Sequence, residues 1–241
     1  MRTGVLGVGF DDLTMEEAVS LALGEIECRG GGYVVTPNPE IVWLCRENPE
    51  FAAIVSQARL VLVDGVGITI GAKILGRPLK GRVPGIDFAG ALFAEMAARS
   101  QSVFLYGAKP GVAVRAGAAL EVQYPGLVVS GTVDGYGDPE GAAEAVRAAE
   151  PDLLLVCLGA PRQEQWMAKY QGTLGVGLMA GLGGTLDVLA GEVERAPERW
   201  QKLGLEWLYR LLKDPRRIKR MIKLPLFLFA VIGQRIRGGK G

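Results

Sequence analysis

Leu153-Leu154-Leu155-Val156-Cys157-Leu158 is a continuous apolar run, and a helical pattern over Pro161–Tyr170 follows it after two residues. An uninterrupted apolar run, unlike an alternating one, is typical of a parallel strand that is covered on both faces. Proline suits the first position of a helix, because the N–H that it lacks would have no partner there. This stretch therefore predicts a buried strand that leads directly into a helix.

The same alternation extends in both directions along the chain. Further strands are predicted at Val5–Val8, Tyr33–Thr36, Leu60–Asp64, Val103–Tyr106, Leu127–Gly131 and Val176–Ala180. Helices are predicted from a capping box at Thr14-Met15-Glu16-Glu17 to about Cys28, after Asn48-Pro49, and over Pro110–Val122 and Pro139–Ala149. Alternating strands and helices predict an α/β fold with a Rossmann-like open, mostly parallel sheet and helices on both faces.

The charge divides the chain into two parts. Residues 1–194 hold 14 Lys and Arg against 23 Asp and Glu, whereas residues 195–241 hold 13 against 3. We interpret residues 1–194 as an α/β catalytic body and residues 195–241 as a basic, amphipathic, helical C-terminal appendage. A strongly basic segment indicates an anionic partner.

The appendage carries apolar residues beside its cations. One helical stripe is predicted from Trp200, Leu203, Trp207, Leu208, Leu211 and Leu212, and Asp214-Pro215 ends that helix. A basic cluster follows at Arg216, Arg217, Lys219, Arg220 and Lys223, and then the apolar run Leu224–Ile232. Nine apolar residues are too few to span a bilayer, which needs about 20 in a helix. The pattern favours a helix in an anionic membrane interface over one docked on the body with a solvated basic face, and over a nucleic-acid partner.

Several kinds of chemistry are excluded by composition. The chain has no histidine, which removes Ser-His-Asp and Cys-His catalysis and imidazole zinc sites. Its three cysteines indicate no disulfide framework, and the first residues lack a signal-peptide pattern, so we expect a cytoplasmic protein. Gly4, Gly7 and Gly9 have the wrong spacing for a dinucleotide loop and predict a turn. A nucleotide-binding oxidoreductase is therefore a distant alternative.

Polar residues follow several predicted strands, at the edge where open α/β sheets bind ligands. Thr36 and Asn38 stand on a stiff loop between prolines, and Asn38 is interpreted as a helix cap, a ligand contact or both. Asp64 ends a buried strand and is either a cap or a functional acid. Arg82 and Asp87 lie in a turn that precedes a helix, and Gln163 opens the helix after Gly159-Ala160-Pro161.

Together these segments resemble the WecG/TagA/CpsF family of glycosyltransferases over almost the whole chain. The resemblance rests on Thr36-Pro37-Asn38-Pro39-Glu40, Asp64-Gly65, Gly76-Arg77-Pro78, Arg82-Val83-Pro84-Gly85-Ile86-Asp87, Gly159-Ala160-Pro161-Arg162-Gln163-Glu164, Arg195–Trp200 and Leu203–Leu211. It implies an enzyme at the inner face of the cell membrane that uses a nucleotide-sugar donor and undecaprenyl-diphosphate-linked N-acetylglucosamine. The implied donor is UDP-N-acetylmannosamine, with the related uronic acid or another hexose as alternatives.

The resemblance also implies residue roles. Asp64 matches the proposed general base and Thr36 an active-site contact, while Arg210, Arg217 and Arg220 match appendage arginines at the donor diphosphate. Asn38, Arg82, Asp87 and Gln163 are expected to bind substrate. The sequence has no Asp-x-Asp motif for a metal-held diphosphate, so we expect no metal and no cofactor, with arginines supplying the positive charge. A single base with no second carboxylate as a nucleophile favours inversion of the anomeric configuration. The resemblance also implies that the body can self-associate.

Overall fold

The computed structural model describes residues 2–215, 218 and 223–238. The strands are β1 (Arg2–Val5), β2 (Val8–Asp11), β3 (Gly32–Val35), β4 (Leu60–Val61), β5 (Ser102–Gly107), β6 (Val128–Val133), β7 (Leu153–Cys157) and β8 (Leu178–Gly181). The helices are α1 (Met15–Glu27), α2 (Pro39–Glu47), α3 (Pro49–Gln57), α4 (Val66–Ile74), α5 (Gly85–Ala97), α6 (Val112–Gln123), α7 (Pro139–Ala149), α8 (Arg162–Tyr170), α9 (Thr185–Leu189), α10 (Glu198–Lys202), α11 (Glu206–Lys213) and α12 (Lys223–Gly238).

The strands β3 to β8 form a parallel sheet in the order β4-β3-β8-β7-β5-β6. One face of the sheet packs against buried side chains of α2, α3, α7 and α8. The other face packs against α1, α5, α6 and α9. The predicted fold class, an open parallel sheet covered on both faces, is confirmed.

Most of the predicted strands are buried, but β6 is not, and β4, β7 and β8 are shorter than predicted. Every residue of β7 is at most 5% exposed, as expected for a strand covered on both faces. The predicted strand Leu60–Asp64 pairs with β3 only at its start. Beyond that point, Leu62 N–H donates to the carbonyl of Val35, and the carbonyl of Val63 accepts from Val83 N–H.

The predicted strand Val5–Val8 is wrong, because it straddles a hairpin. β1 and β2 pair antiparallel with Val5 opposite Val8, so Leu6 and Gly7 form the turn. Both turn residues have positive φ, 50° and 91°, as a tight hairpin turn of matching twist requires. Gly7 therefore serves a turn, as predicted, whereas Gly4 and Gly9 lie opposite each other in the two strands. The oxidoreductase alternative thereby loses its candidate dinucleotide loop.

Most helix starts follow their predicted caps. The side chain of Thr14 accepts from Glu17 N–H and that of Glu17 accepts from Thr14 N–H, which completes the capping box of α1. Asn48 caps α3, and α7 begins and ends at the predicted residues. The sixth helix starts two residues later than predicted, after Gly111 in a left-handed conformation.

The single helix predicted from Trp200 to Leu212 is also wrong, because α10 and α11 are separate. The helical conformation is interrupted at Gly204, whose φ is 69°. A Cβ on Gly204 would lie 2.9 Å from Val66 Cγ2, so the break lets the backbone of the appendage approach the start of α4. Helix α11 ends at Lys213, directly before Asp214, as predicted.

The last helix, α12, docks on the body along one side. Phe227 and Val231 are fully buried and contact α4, where a Cβ on Gly71 would lie 3.1 Å from the Phe227 ring. On other sides of the helix, Phe229 is 71% and Ile236 62% exposed. In the described parts of the chain, no helix combines the length and apolarity needed to span a bilayer.

Candidate active site

The carboxyl ends of β3 and β4 bring three predicted site residues to one edge of the sheet. Because β3 and β4 are parallel neighbours, Thr36, Asn38 and Asp64 follow them on the same side. The two strand-end segments touch: a Cβ on Gly65 would lie 2.8 Å from Pro39 Cδ. Glycine after the aspartate is therefore required by the contact between the two loops.

Asp64 follows β4, the outermost strand of the sheet, and does not cap the helix that comes after it. The N-cap of α4 is Gly65. The Asp64 carboxylate accepts instead from the backbone N–H of Gly85, the first residue of α5. Of the two interpretations that the sequence left open, the helix cap is therefore wrong, and the functional acid stays a prediction.

The surroundings of Asp64 alter its basicity. Burial raises the pKa of Asp64 to about 6, although part of the residue stays accessible. The Arg210 guanidinium opposes this rise, Glu206 adds to it, and the Gly85 N–H and Arg82 lower the pKa further. A carboxyl group with a pKa near 6 is ionised at neutral pH and is a stronger base than an ordinary aspartate.

Thr36 and Asn38 line the same edge and have defined local roles. The Thr36 side chain is buried, and its hydroxyl donates a long hydrogen bond of 3.5 Å to the carbonyl of Gly181. A Cβ on Gly85 would lie 3.5 Å from the Thr36 hydroxyl oxygen, so α5 starts directly beside this residue. Asn38 caps α2 by accepting from Ile41 N–H at 3.0 Å. The cap is confirmed, and contact with substrate stays a prediction for both side chains.

Gln163 joins two glycine loops at the ends of β7 and β8. Its Oε1 accepts from the backbone N–H groups of Gly159 at 3.1 Å and Gly183 at 3.0 Å. Its Nε2 donates to the buried carboxyl group of Glu164 at 2.9 Å. The predicted substrate contact is untested, but the amide clearly fixes the two loops relative to each other.

Arg82 and Asp87 connect the body to the appendage. The two oxygens of Asp87 pair with the two terminal nitrogens of Arg195, at 2.6 and 2.8 Å. Arg82 donates to the backbone carbonyl of Gln201 at 3.1 Å. These contacts place α10 and α11 over the edge that carries Asp64. The predicted substrate-binding role of Arg82 and Asp87 stays a prediction beside this structural one.

The appendage contributes one predicted residue and two that sequence reasoning did not assign to the site. Arg210 was predicted, and its charge acts on Asp64. Glu206 also acts on Asp64, and it lies 3.5 Å from Arg195 Nε. Their membership in the motif segments Arg195–Trp200 and Leu203–Leu211 was the available signal. The predicted residues Arg217 and Arg220 lie outside the described residues.

Fold and site together define a class of protein. An open parallel sheet whose carboxyl edge holds a basic carboxylate, arginines and glycine loops has the arrangement of an α/β enzyme that acts on a nucleotide-containing or phosphorylated ligand. Comparison with known proteins narrows this class.

A model of the glycosyl transferase WecG/TagA/CpsF family matches residues 3–241. A protein of Bacillus spizizenii named N-acetylglucosaminyldiphosphoundecaprenol N-acetyl-beta-D-mannosaminyltransferase is 36% identical over 203 residues, covering 84% of this chain and 79% of its own length. The protein with the same name from Staphylococcus aureus strain MW2 is 32% identical over 95% of this chain and 92% of its own length. A Bacillus subtilis protein, again with this name, is 32% identical over 86% of the chain and 81% of its own length.

The chain therefore belongs to the WecG/TagA/CpsF family and is a glycosyltransferase. The family resemblance inferred from the motifs is confirmed.

Proposed function

We propose that this enzyme transfers N-acetylmannosamine from UDP-N-acetylmannosamine to undecaprenyl-diphosphate-linked N-acetylglucosamine. The names of the relatives, which share about a third of their residues with the chain, support this donor sugar and this acceptor. The observation that carries the proposal is Asp64, a carboxylate with a raised pKa at the joined ends of β3 and β4. The product would begin a cell-surface polymer such as wall teichoic acid.

The chemistry is an inverting displacement at the anomeric carbon. Asp64 accepts the proton of the acceptor hydroxyl as that oxygen attacks, and the bond to the UDP oxygen breaks on the opposite side. A base whose pKa lies just below the working pH is largely ionised and still binds a proton well, which suits this step. A single displacement inverts the configuration, in line with the one carboxylate assigned as a base.

The departing diphosphate needs positive charge. Arg210 and Arg82 are close enough to influence Asp64, and guanidinium groups pair with phosphate oxygens in a bidentate manner. Arg217 and Arg220 are proposed to add to this set on the basis of the family resemblance alone. We propose that these cations replace a metal ion, so that activity persists in excess EDTA.

The enzyme is further proposed to work on the anionic inner face of the cell membrane. Leu226, Phe229 and Ile236 lie exposed on α12, and Arg235 and Arg237 lie on the same helix. Exposed apolar side chains among cations suit the headgroup region of an anionic bilayer. Since α12 also buries Phe227 and Val231 against the body, it would bring the active site close to a lipid-linked acceptor.

A donor screen tests the proposed function. The full chain is incubated with a soluble polyprenyl-diphosphate-N-acetylglucosamine analogue and each of several UDP-sugars, and UDP release and product mass are measured. We expect one product, carrying N-acetylmannosamine, and a turnover that falls by about 10²–10⁴-fold in a folded Asp64→Asn variant. Near-normal turnover of Asp64→Asn would refute the assignment of Asp64 as the general base. A product from the uronic acid or another hexose donor would correct the donor alone.

A further inference from the structure

A line of alternating charges runs from the body to the active site. The Asp87 carboxylate binds Arg195 through both oxygens, at 2.6 and 2.8 Å. Arg195 Nε lies 3.5 Å from Glu206 Oε1, and the same oxygen lies 4.0 Å from Arg210 Nη2. Arg210 in turn acts on Asp64. The line therefore ends at the proposed base.

The elements of the fold set each position in this line. Asp87 belongs to the first turn of α5, the helix whose first N–H binds Asp64. Glu206 begins α11 and Arg210 stands one turn later on the same face. The side chains of Glu206 and Arg195 are only 16% and 25% exposed. They are shielded more than ordinary surface ion pairs, whose charges are strongly screened by water.

We propose that Glu206 is a positioning residue of the active site, which holds the Arg210 guanidinium where its charge acts on Asp64 and is itself held by the Asp87–Arg195 pair. This inference rests on the proposed function, in which Asp64 is the base and Arg210 faces the leaving diphosphate. It assigns a task to Glu206 and Arg195, and it gives Asp87 a structural task beside its predicted contact with substrate.

Glu206 serves this task because of its charge and its place on α11. An arginine side chain has many rotamers, and fixing one of them costs conformational entropy unless a partner restrains it. Glu206 is such a partner, because the same carboxylate oxygen lies near both Arg210 and Arg195.

The pH profile of the reaction distinguishes a role of Glu206 in positioning Arg210 from an effect of the Glu206 charge alone. The charged or polar groups that act on the Asp64 carboxyl are Arg210 and Glu206 from α11, the N–H of Gly85 at the start of α5, and Arg82 just before that helix. If only the Glu206 charge were lost, the pKa of Asp64 would fall. If Arg210 is released as well, the pKa rises, because the effect of Arg210 is larger than that of Glu206.

A double-mutant cycle in the full chain tests the inference. Glu206→Gln, Arg210→Gln and the double variant are assayed for UDP release with the donor and the soluble acceptor analogue across pH 5–9. Glu194→Gln is the matched control, since Glu194 lies in the same region of the chain, is 76% exposed and contacts Lys213. Circular dichroism and thermal unfolding verify that each variant is folded.

We expect Glu206→Gln and Arg210→Gln each to lower kcat about ten- to a hundredfold, the range for a lost charge-assisted contact, with little change in KM. The double variant should be no slower than Arg210→Gln alone, because Glu206 acts through Arg210. The acid limb of the profile should move to higher pH in Glu206→Gln, and Glu194→Gln should stay within about twofold of the parent.

Additive losses in the double variant, an acid limb that moves to lower pH, or a Glu206→Gln variant as active as the control would each overturn the inference. If Glu206→Gln does not fold, Arg195→Lys decides, because lysine keeps the charge but cannot grip Asp87 with two nitrogens. That variant should lose kcat in the same sense, and a normal kcat would overturn the proposal. Failure of the proposed function is distinguishable, since Asp64→Asn would then retain full turnover.

Discussion

The strand β7 and the helix α11 are held in place by different kinds of contact. All five residues of β7 are buried, between helices on both faces of the sheet. No residue of α11 is fully buried, yet this helix carries Glu206 and Arg210 to the edge where Asp64 lies. Its neighbourhood is fixed by ion pairs and by backbone contacts such as that of Arg82 with Gln201. The apolar core thus builds the scaffold, and polar contacts complete the site.

The largest expected effect compares two phenylalanines of α12. Phe227 is fully buried against the body, and Phe229 is 71% exposed. Phe227→Ala should lower the free energy of unfolding by about 3–5 kcal/mol, because it removes a packed ring and leaves a cavity. Phe229→Ala should change stability by less than about 0.5 kcal/mol. Chemical denaturation of both variants measures this difference.

The same pair tests the membrane proposal by flotation with anionic vesicles. Phe229→Ala should weaken binding by about 1.5–3 kcal/mol, the value of one buried aromatic side chain, and added salt should weaken it further. Unchanged flotation of Phe229→Ala, or equal destabilisation by the two substitutions, would show that α12 is not divided into a docked side and a lipid-facing side.

The next largest effect concerns the arginines of the appendage. Arg210→Ala, Arg217→Ala and Arg220→Ala should each lower turnover about ten- to a hundredfold, because a charge-assisted contact to the diphosphate is worth roughly 1.5–3 kcal/mol. Lys240→Ala is the control outside this set. Steady-state UDP release measures the four variants. If the arginine variants are no slower than the lysine control, the appendage serves only to attach the enzyme to the membrane.

A smaller effect is a stability gain from removing the Asp64 charge. Because burial raises the pKa of Asp64 from 3.8 to about 6, the native state binds a proton more tightly than the unfolded chain does. The free energy of unfolding therefore falls as pH rises from about 4 to about 6, by about 2–3 kcal/mol for this group. Asp64→Asn should avoid that loss.

Thermal unfolding at two pH values checks the sign. Asp64→Asn should melt at a higher temperature than the parent at pH 8, and the difference should be much smaller near pH 4, where Asp64 is neutral in the native state and only partly ionised in the unfolded chain. The gain accompanies a loss of turnover, as expected for a residue kept for function at the expense of stability. An equal difference at both pH values would contradict the raised pKa.

The smallest expected effect belongs to Thr36. Its hydroxyl makes only a long contact with Gly181, so Thr36→Ala should cost about 1 kcal/mol, or roughly fivefold in turnover. Thr36→Ser, which keeps the hydroxyl, is the matched control and should stay near the parent in the same UDP-release assay. A loss as large as that of Asp64→Asn would make Thr36 a direct participant in the reaction.

The sequence by itself determined the scaffold and the residues at the strand ends. Continuous apolar runs can be satisfied only between two covering layers, so they predicted the parallel sheet, and local caps such as Asn48 predicted where helices begin. The motif segments predicted the family and placed Asp64 at the edge of the sheet. These signals are local, or they are read from spacing along the chain.

Only the tertiary structure decided where the chain turns and which charges meet. The hairpin at Leu6-Gly7 and the break at Gly204 depend on what packs against those residues, and an apolar pattern does not report that. The partnership of Asp87 with Arg195 joins residues 108 positions apart. The sequence does not indicate which oppositely charged residues will pair. Only the fold brings Glu206 and Arg210 close enough to act on Asp64.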